Sequence, residues 1–195
     1  QIVLTEGSKG MSGAIEKAAE LEKKTENAIV LGQFVNEANP EAHYRTTGPE
    51  IWKDTDGKVD IFIAGAGTGG TVTGVGRYLK EKNPDVEVIA VEPSGSPVLS
   101  GGKAGPHGLQ GIGAGFIPQI LDTGIYDKVN PVKEEEAYAA ARLLAAREGI
   151  LVGITSGAAL YTALQEARKM ENEEKVIVAL LPDTGERYLS TPLFA

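Results

Sequence analysis

Residues 59–93, VDIFIAGAGTGGTVTGVGRYLKEKNPDVEVIAVEP, place a glycine-rich loop between an apolar run and an amphipathic one. Gly65, Gly67 and Gly70 have the spacing G-x-G-x-x-G. Glycines at these positions let the backbone approach an anion closely, and the helix that follows offers free N–H groups and the positive end of its dipole. The loop therefore predicts a phosphate site.

Two kinds of phosphate fit this loop. A dinucleotide fold places an acidic residue roughly 20 residues further on, and Glu92 holds that position. Thr68 and Thr71, in contrast, add two hydroxyl donors, which suit the three oxygens of a terminal phosphate monoester better than a pyrophosphate. Glycines that serve only a tight turn are a third interpretation, and the residues alone leave all three open.

A second loop, LVGITSGAAL at residues 151–160, has similar chemistry. Thr155 and Ser156 open an alanine-rich helix, and one hydroxyl is expected to cap it. The other hydroxyl is then free to face a cleft. From these residues alone, capping is the favoured interpretation.

The elements that position these loops alternate along the chain. Strands are predicted at residues 2–4, 28–34, 61–64, 86–91, 128–132, 151–154 and 176–181. Helices are predicted at 11–24, 71–82, 134–148 and 157–170, with a short one near 43–47. This alternation predicts an α/β fold, a mostly parallel twisted sheet with helices on both faces. Ligands of such sheets gather at the carboxyl ends of the strands. The long loop at 94–118 is expected to be functional.

Composition excludes several classes of function. The 195 residues carry a net charge of −8, which argues against nucleic acid as a partner. The absence of cysteine excludes disulfides, thiolate metal sites and a cysteine nucleophile. No apolar run approaches the roughly 20 residues of a membrane helix, and no signal peptide is visible. We therefore expect no membrane association and no metal site, and a cytoplasmic location.

Four segments together carry a resemblance to a known family: GAGTGGTVTG, HGLQGIGAGFIP, EGILVGITSGAA and LPDTGERYLSTPLF. With QFVNEANPEAHYRTTGPEIW, they strongly resemble the cysteine synthases, or O-acetylserine sulfhydrylases. These are fold-type II enzymes that depend on pyridoxal 5′-phosphate (PLP). The resemblance implies that the glycine loop holds the PLP phosphate rather than a dinucleotide, and that Glu92 lies near a strand end.

The resemblance also implies roles for the loop residues. The cradle around the PLP phosphate is expected to consist of Gly67, Thr68, Gly69, Gly70 and Thr71. Thr155 falls where the family usually has a serine that meets the pyridine nitrogen, with Ser156 as the alternative. A neutral hydroxyl in that place moderates the electron sink and suits β-elimination.

Further positions match the substrate side of the family's site. Gln33 matches a glutamine near the carboxylate of the amino-acid substrate, and His43 matches a histidine near the cofactor. A structural role for His43 is equally open. The glycine-rich run 111–115, which begins with Gly111, resembles an active-site wall, with a flexible connection as the alternative. His107 receives no role.

Two family motifs have no counterpart in this sequence. One contains the lysine that forms the Schiff base with PLP, and the other is the Thr/Ser-Gly-Asn loop that binds the substrate carboxylate. The chain is therefore expected to be a fragment, with residues 1–36 ending the N-terminal domain and residues 37–195 forming the C-terminal PLP-phosphate domain. No catalytic residue is assigned, and the fragment alone is expected to be inactive.

The function implied is cysteine biosynthesis, in which O-acetyl-L-serine and sulfide give L-cysteine and acetate. A sibling enzyme, cystathionine β-synthase or a synthase that uses O-phosphoserine, is the alternative. The resemblance further implies a homodimer and docking of the C-terminal tail of serine acetyltransferase in the active-site cleft.

Overall fold

The computed structural model describes residues 1–194. Within them, four parallel strands form one sheet in the order β3-β2-β1-β4. The strands are β1 Val59–Gly65, β2 Glu87–Pro93, β3 Lys128–Val132 and β4 Val176–Ala179. The helices are α1 Gly10–Lys24, α2 Ala38–Arg45, α3 Thr47–Asp54, α4 Gly70–Lys82, α5 Glu134–Glu148 and α6 Ile154–Ala167. Short 3-10 helices lie at Gly7–Lys9, Met170–Asn172 and Gly185–Tyr188.

Two apolar cores cover the two faces of the sheet. Successive side chains of a strand point to opposite faces, so β1 contributes to both cores. Ile61 and Ile63 pack in the core that includes α5 and α6, while Phe62 and Ala64 pack in the core that includes α4. The predicted α/β class, with a parallel sheet and helices on both faces, is confirmed.

Two predicted strands near the beginning of the chain are wrong. Neither residues 2–4 nor residues 28–34 join a strand ladder within the described chain. Most of their apolar side chains lie in solvent, with Ile2 86% and Ile29 79% exposed, whereas Phe34 is buried. A strand is stable only when its backbone pairs with a neighbour, and these segments have none. The predicted helix at 11–24 is confirmed as α1, although Ile15 on its apolar face is 41% exposed.

The predicted strand at 151–154 is also wrong. Val152 makes only an isolated antiparallel bridge to Thr184. Helix α6 begins at Ile154, three residues before the predicted start at residue 157. The short helix predicted near residues 43–47 is a pair of helices, α2 and α3. Helix α2 packs on α4, which places its side chains beside the glycine loop.

None of the helices within residues 1–194 is long and apolar enough to span a bilayer. All four strands of the sheet lie after residue 36. The sheet therefore does not show whether residues 1–36 belong to a separate domain, and the division there remains a prediction.

Candidate anion-binding site

The glycine loop leaves the carboxyl end of β1 and leads into α4. The Ala66 amide donates to the Val91 carbonyl at 2.9 Å, which ties the start of the loop to the end of β2. Gly69 then adopts a left-handed conformation with φ +84°, and α4 begins at Gly70. The first N–H groups of a helix have no intrahelical acceptor. The chain therefore presents amide donors and the positive helix end at this edge of the sheet.

The loop has no room for side chains. A Cβ at Gly67 would lie 2.6 Å from the Gly111 carbonyl oxygen, and a Cβ at Gly70 would overlap the side-chain amide of Asn39. The loop thus lies between helix α2 and the segment that contains Gly111. Because glycine has no side chain, a bound ligand can approach the loop backbone directly.

Thr68 keeps a free hydroxyl proton. Its Oγ1 accepts a hydrogen bond from Asn39 Nδ2 at 2.9 Å and another from the Gly70 amide at 3.3 Å. Two accepted bonds use both lone pairs of a hydroxyl oxygen. No described residue accepts the remaining proton, so the Thr68 hydroxyl can donate it to a bound ligand.

Thr71 is the second hydroxyl of the loop, and a histidine contacts it. Thr71 Oγ1 lies 3.2 Å from His43 Nε2, and His43 Nδ1 lies 2.9 Å from Thr47 Oγ1. Burial lowers the pKa of His43, which favours the neutral ring at pH 7. The three side chains form a continuous hydrogen-bonded chain from α3 to α4.

An open cavity of about 830 Å³ adjoins the loop. Of the five predicted cradle residues, Gly67 and Thr68 line it, whereas Gly69, Gly70 and Thr71 follow in the same loop without lining it. Gln33 and Gly111, the two predicted substrate contacts, both line the cavity. Among the described residues the lining contains one lysine, Lys9, and no carboxylate. In a chain of net charge −8 this is a local environment that favours anions.

The glycine-rich run 111–115 forms one wall of this cavity. Gly111, Gly113 and Gly115 have φ values of +105°, +68° and +83°, which L side chains rarely adopt. The Gly113 amide donates to the Ala66 carbonyl at 3.1 Å, which fixes the wall to the glycine loop. The run therefore forms part of the cavity wall, and its role in binding substrate stays a prediction.

His107, which the sequence left without a role, supports this wall. Its Nε2 lies 3.0 Å from the Gly113 carbonyl, which can only accept, so this nitrogen carries the proton. Nδ1 is then a buried acceptor without a partner among the described residues. Nothing in the sequence pattern alone indicated this contact, because the loop that contains both residues has no periodicity.

Asp183 separates the roles of Thr155 and Ser156. Its carboxylate accepts from the Thr155 amide at 3.1 Å and from the Ser156 amide at 2.8 Å, which caps α6. The Ser156 hydroxyl donates to the same carboxylate at 2.5 Å and is fully buried. Ser156 is therefore the structural hydroxyl of the pair, and Thr155 is the one left for a ligand.

Thr155 lies beneath the wall rather than on the cavity surface. Its side chain is 5% exposed, and its Oγ1 donates to the Gln110 carbonyl at 2.9 Å. A Cβ at Gly111 would lie 2.8 Å from this hydroxyl, so a single glycine separates it from the cavity. A neutral pyridine nitrogen accepts, so contact with it requires the Thr155 proton to turn away from the Gln110 carbonyl. This contact stays a prediction.

Asp183 supports the backbone of Thr155, and sequence reasoning missed it. It lies 27 positions after Ser156, and only the segment LPDTGERYLSTPLF hinted at its importance. Beside it, burial and then a hydrogen bond to Asp183 raise the pKa of Tyr188 to about 12, so this phenol stays protonated. The helix start at residue 154 is thus closed by an internal anion.

Glu92 is not available to a ribose. The carboxylate is 1% exposed and accepts hydrogen bonds from the Leu99 amide at 2.7 Å and from the Ser100 amide at 3.0 Å. The Ser100 hydroxyl donates to it as well, at 2.5 Å. With its oxygens occupied by the following loop, the acidic residue of the dinucleotide pattern has a structural role. The match to a dinucleotide fingerprint is coincidental.

A doubly covered parallel sheet with a glycine and threonine phosphate loop defines a cofactor-binding α/β protein. Residues 1–183 match the family model described as "Pyridoxal-phosphate dependent enzyme". The chain belongs to this family, and its cofactor is pyridoxal phosphate.

Individual proteins that resemble the chain have more specific names than the family. The chain is 53% identical over 196 aligned residues to a cysteine synthase of Staphylococcus aureus, covering 100% of the chain and 63% of that protein. A crystal structure of cysteine synthase from Entamoeba histolytica aligns with a TM-score of 0.94 and 49% identity. The alignment covers 100% of this chain and 57% of the Entamoeba chain. An O-acetylserine dependent cystathionine beta-synthase from Helicobacter pylori has a TM-score of 0.93 and 40% identity, covering 99% of this chain and 62% of its own. The chain thus spans less than two thirds of each.

The residues present fit the phosphate of this cofactor. The Thr68 proton has no acceptor within the described chain, Gly67 leaves the backbone uncovered, and the cavity lining contains no carboxylate. All three features suit an anion that accepts several hydrogen bonds.

Proposed function

We propose that the full-length protein is a cysteine synthase that converts O-acetyl-L-serine and sulfide to L-cysteine and acetate. The observation that carries the proposal is the donor-rich loop at residues 67–71, beside a cavity whose described lining has no carboxylate, in a chain 53% identical to a cysteine synthase along its whole length. Both substrates suit the cavity, because one bears a carboxylate and the other is an anion at neutral pH.

Each site residue has a physical role in this proposal. The amides that enter α4 and the hydroxyls of Thr68 and Thr71 hold the phosphate. The Thr155 hydroxyl is proposed to turn from the Gln110 carbonyl and donate to the pyridine nitrogen, and Asp183 fixes the backbone on which Thr155 lies. When bound, the cofactor supplies an electron sink for negative charge at the α-carbon of the substrate.

The substrate is proposed to lie in the cavity between Gln33 and the wall that begins at Gly111. The Gln33 side-chain amide can donate to the substrate carboxylate, and the bare backbone at Gly111 leaves space for the amino acid. We further propose that residues 37–195 form the phosphate-binding domain and that residues 1–36 belong to the other domain. No residue of this chain is proposed to bind the cofactor covalently, so the isolated chain is expected to be inactive.

The test is turnover by the full-length protein loaded with pyridoxal phosphate. Cysteine formation from O-acetyl-L-serine and sulfide is expected to exceed turnover of O-phosphoserine, and of serine with homocysteine. Cystathionine as the main product would identify the sibling enzyme instead. Absence of cysteine under these conditions would overturn the proposal.

Two proposals concern the partners of the full-length protein. The cavity, with Lys9 in its lining and no carboxylate among the described residues, suits the carboxylate that ends a protein chain. We propose that it binds the C-terminal tail of serine acetyltransferase. Titration calorimetry with a tail peptide ending in isoleucine is expected to give saturable heat that excess O-acetyl-L-serine suppresses. The absence of heat would contradict the proposal.

Assembly as a homodimer and a cytoplasmic location are proposed from the resemblance to the family. Light scattering of the full-length protein is expected to give twice the mass of one chain, and a monomer mass would contradict the first. Cell fractionation followed by immunodetection tests the second.

A further inference from the structure

Helix α2 presents two polar side chains to the glycine loop. Asn39 and His43 are four residues apart, so they lie on the same face of the helix. Asn39 Nδ2 contacts Thr68 and His43 Nε2 contacts Thr71. Each of the two hydroxyls of the loop therefore has its own partner on α2, and neither partner lines the cavity.

A hydroxyl can donate only one proton, so its partners decide where that proton points. Asn39 Nδ2 can only donate, and it donates to Thr68 Oγ1 as well as to the Gln33 carbonyl, so Thr68 Oγ1 accepts on this side. The Thr68 proton is thereby excluded from the α2 side. The geometry leaves it free for an acceptor elsewhere.

The same logic makes the His43 ring a selector for Thr71. If Nδ1 carries the proton, Nε2 is an acceptor and takes the Thr71 proton away from any ligand. If Nε2 carries the proton, Thr71 Oγ1 accepts from it and its own proton is free. In that case Nδ1 must accept, and Thr47 Oγ1, 2.9 Å away, is placed to donate.

We propose that Asn39 and His43, the latter together with Thr47, are positioning residues that direct the Thr68 and Thr71 protons to the cofactor phosphate. This inference rests on the proposed phosphate cradle. It assigns the Nε2–H tautomer to His43 when phosphate is bound, with Thr47 donating to Nδ1. The neutral ring is the form in which this selection operates.

The first test compares affinities of the full-length protein for pyridoxal phosphate and for pyridoxal, followed by absorbance. His43→Leu removes the donor to Thr71 and is expected to weaken pyridoxal phosphate binding about tenfold, with pyridoxal binding unchanged. His43→Gln can place an amide nitrogen near the Nε2 position and is expected to restore most of the affinity. Thr47→Val leaves the ring in place and should give an intermediate loss.

Equal losses for pyridoxal and pyridoxal phosphate would show a merely structural role and would overturn the inference. A circular dichroism spectrum of each variant shows whether it is folded. Since a variant that fails to fold carries no information on tautomers, the second test uses the wild-type protein.

The second test is long-range ¹H–¹⁵N NMR of the histidine rings in the wild-type full-length protein, with and without pyridoxal phosphate. The described chain contains two histidines, and the His43 signals are assigned by their loss in His43→Gln. The Nε2–H pattern with cofactor bound is expected. The Nδ1–H pattern with cofactor bound would overturn the inference alone, whereas failure of the wild-type protein to bind the cofactor would overturn the proposed cradle as well.

Discussion

Helices α4 and α6 begin with similar sequences, but the electrostatic surroundings of their N-termini are opposite. Both start after a glycine and carry threonine in the first turn. At α6 the carboxylate of Asp183 accepts from two backbone amides and one hydroxyl. At α4 no carboxylate is in hydrogen-bonding contact with the loop, and the Thr68 proton has no acceptor among the described residues.

The difference shows how a helix N-terminus becomes either a structural joint or a ligand site. A helix start offers unpaired amides and partial positive charge in every case. At α6 the Asp183 carboxylate accepts hydrogen bonds from these amides and from the Ser156 hydroxyl, so that hydroxyl is not available to a ligand. The same donors at α4 remain for an external anion beside the cavity.

The largest expected effect closes the α4 site sterically. Gly70→Ala places a methyl group where the Asn39 side-chain amide lies, so the loop must move. We expect pyridoxal phosphate affinity of the full-length protein to fall by about 100-fold or more, measured by absorbance titration. Gly124→Ala is the matched control, because its added Cβ would meet only Asp122 Oδ1, at an ordinary 3.4 Å. Near-normal affinity in Gly70→Ala would remove the loop from the site.

A second prediction opens the α6 start. Asp183→Ala removes the acceptor of two amides and of the Ser156 hydroxyl. We expect the free energy of unfolding to fall by about 2 kcal/mol, measured by urea denaturation. Asp183→Asn keeps one acceptor oxygen and should lose roughly half as much. Unchanged stability in Asp183→Ala would show that water replaces the carboxylate.

A third prediction makes α4 resemble α6. Thr68→Asp supplies an internal carboxylate at the open helix start, which is expected to lower pyridoxal phosphate affinity about 10- to 100-fold by charge repulsion. The cofactor-free protein should be unharmed or more stable by about 0.5 kcal/mol. Thr68→Asn, neutral and of the same size as the aspartate, is the control. Equal losses in both variants would mean that the hydroxyl, not the charge balance, matters.

The smallest expected effect concerns pH. The pKa of His43 is lowered by burial in the folded protein, so the unfolded chain binds a proton at a higher pH than the folded one. Stability is therefore complete above the unfolded value of 6.5 and declines as the pH falls below it. Thermal unfolding at about pH 7.5 and about pH 5 should show a smaller acid loss in His43→Gln than in the wild type. Equal acid losses would exclude His43 as a contributor.

Most of the fold could be predicted because local periodicity agreed with the packing. Strand β3 and helix α5 were predicted at their observed bounds, and β1, β2 and α4 within two residues. The failures lie where an apolar run lacks a partner, as at residues 2–4 and 28–34, or where a distant residue decides the structure. Helix α6 starts early because Asp183 caps it, and that contact spans 28 residues from Thr155.

The site was predictable to the extent that it is local. Gly67 and Thr68 of the loop line one cavity together with Gln33 and Gly111, and their contacts with cofactor and substrate stay predictions. The contacts that orient the hydroxyls were not predictable, because Asn39 lies 29 positions from Thr68. Which of two neighbouring hydroxyls faces a ligand depends on such long-range contacts.

The loop after β2 is fastened on both sides of a short exposed tip. Glu92 holds the amides of Leu99 and Ser100 on one side, and Gly113 is bonded to Ala66 on the other. Between them, residues 101–103 are exposed and immediately precede Ala104 in the cavity lining. This tip is a natural insertion point. Because the Gly101 and Gly102 amides donate back to Val98 and Pro97, Lys103 is the exposed residue of the tip at which a fluorophore can be attached beside the cleft.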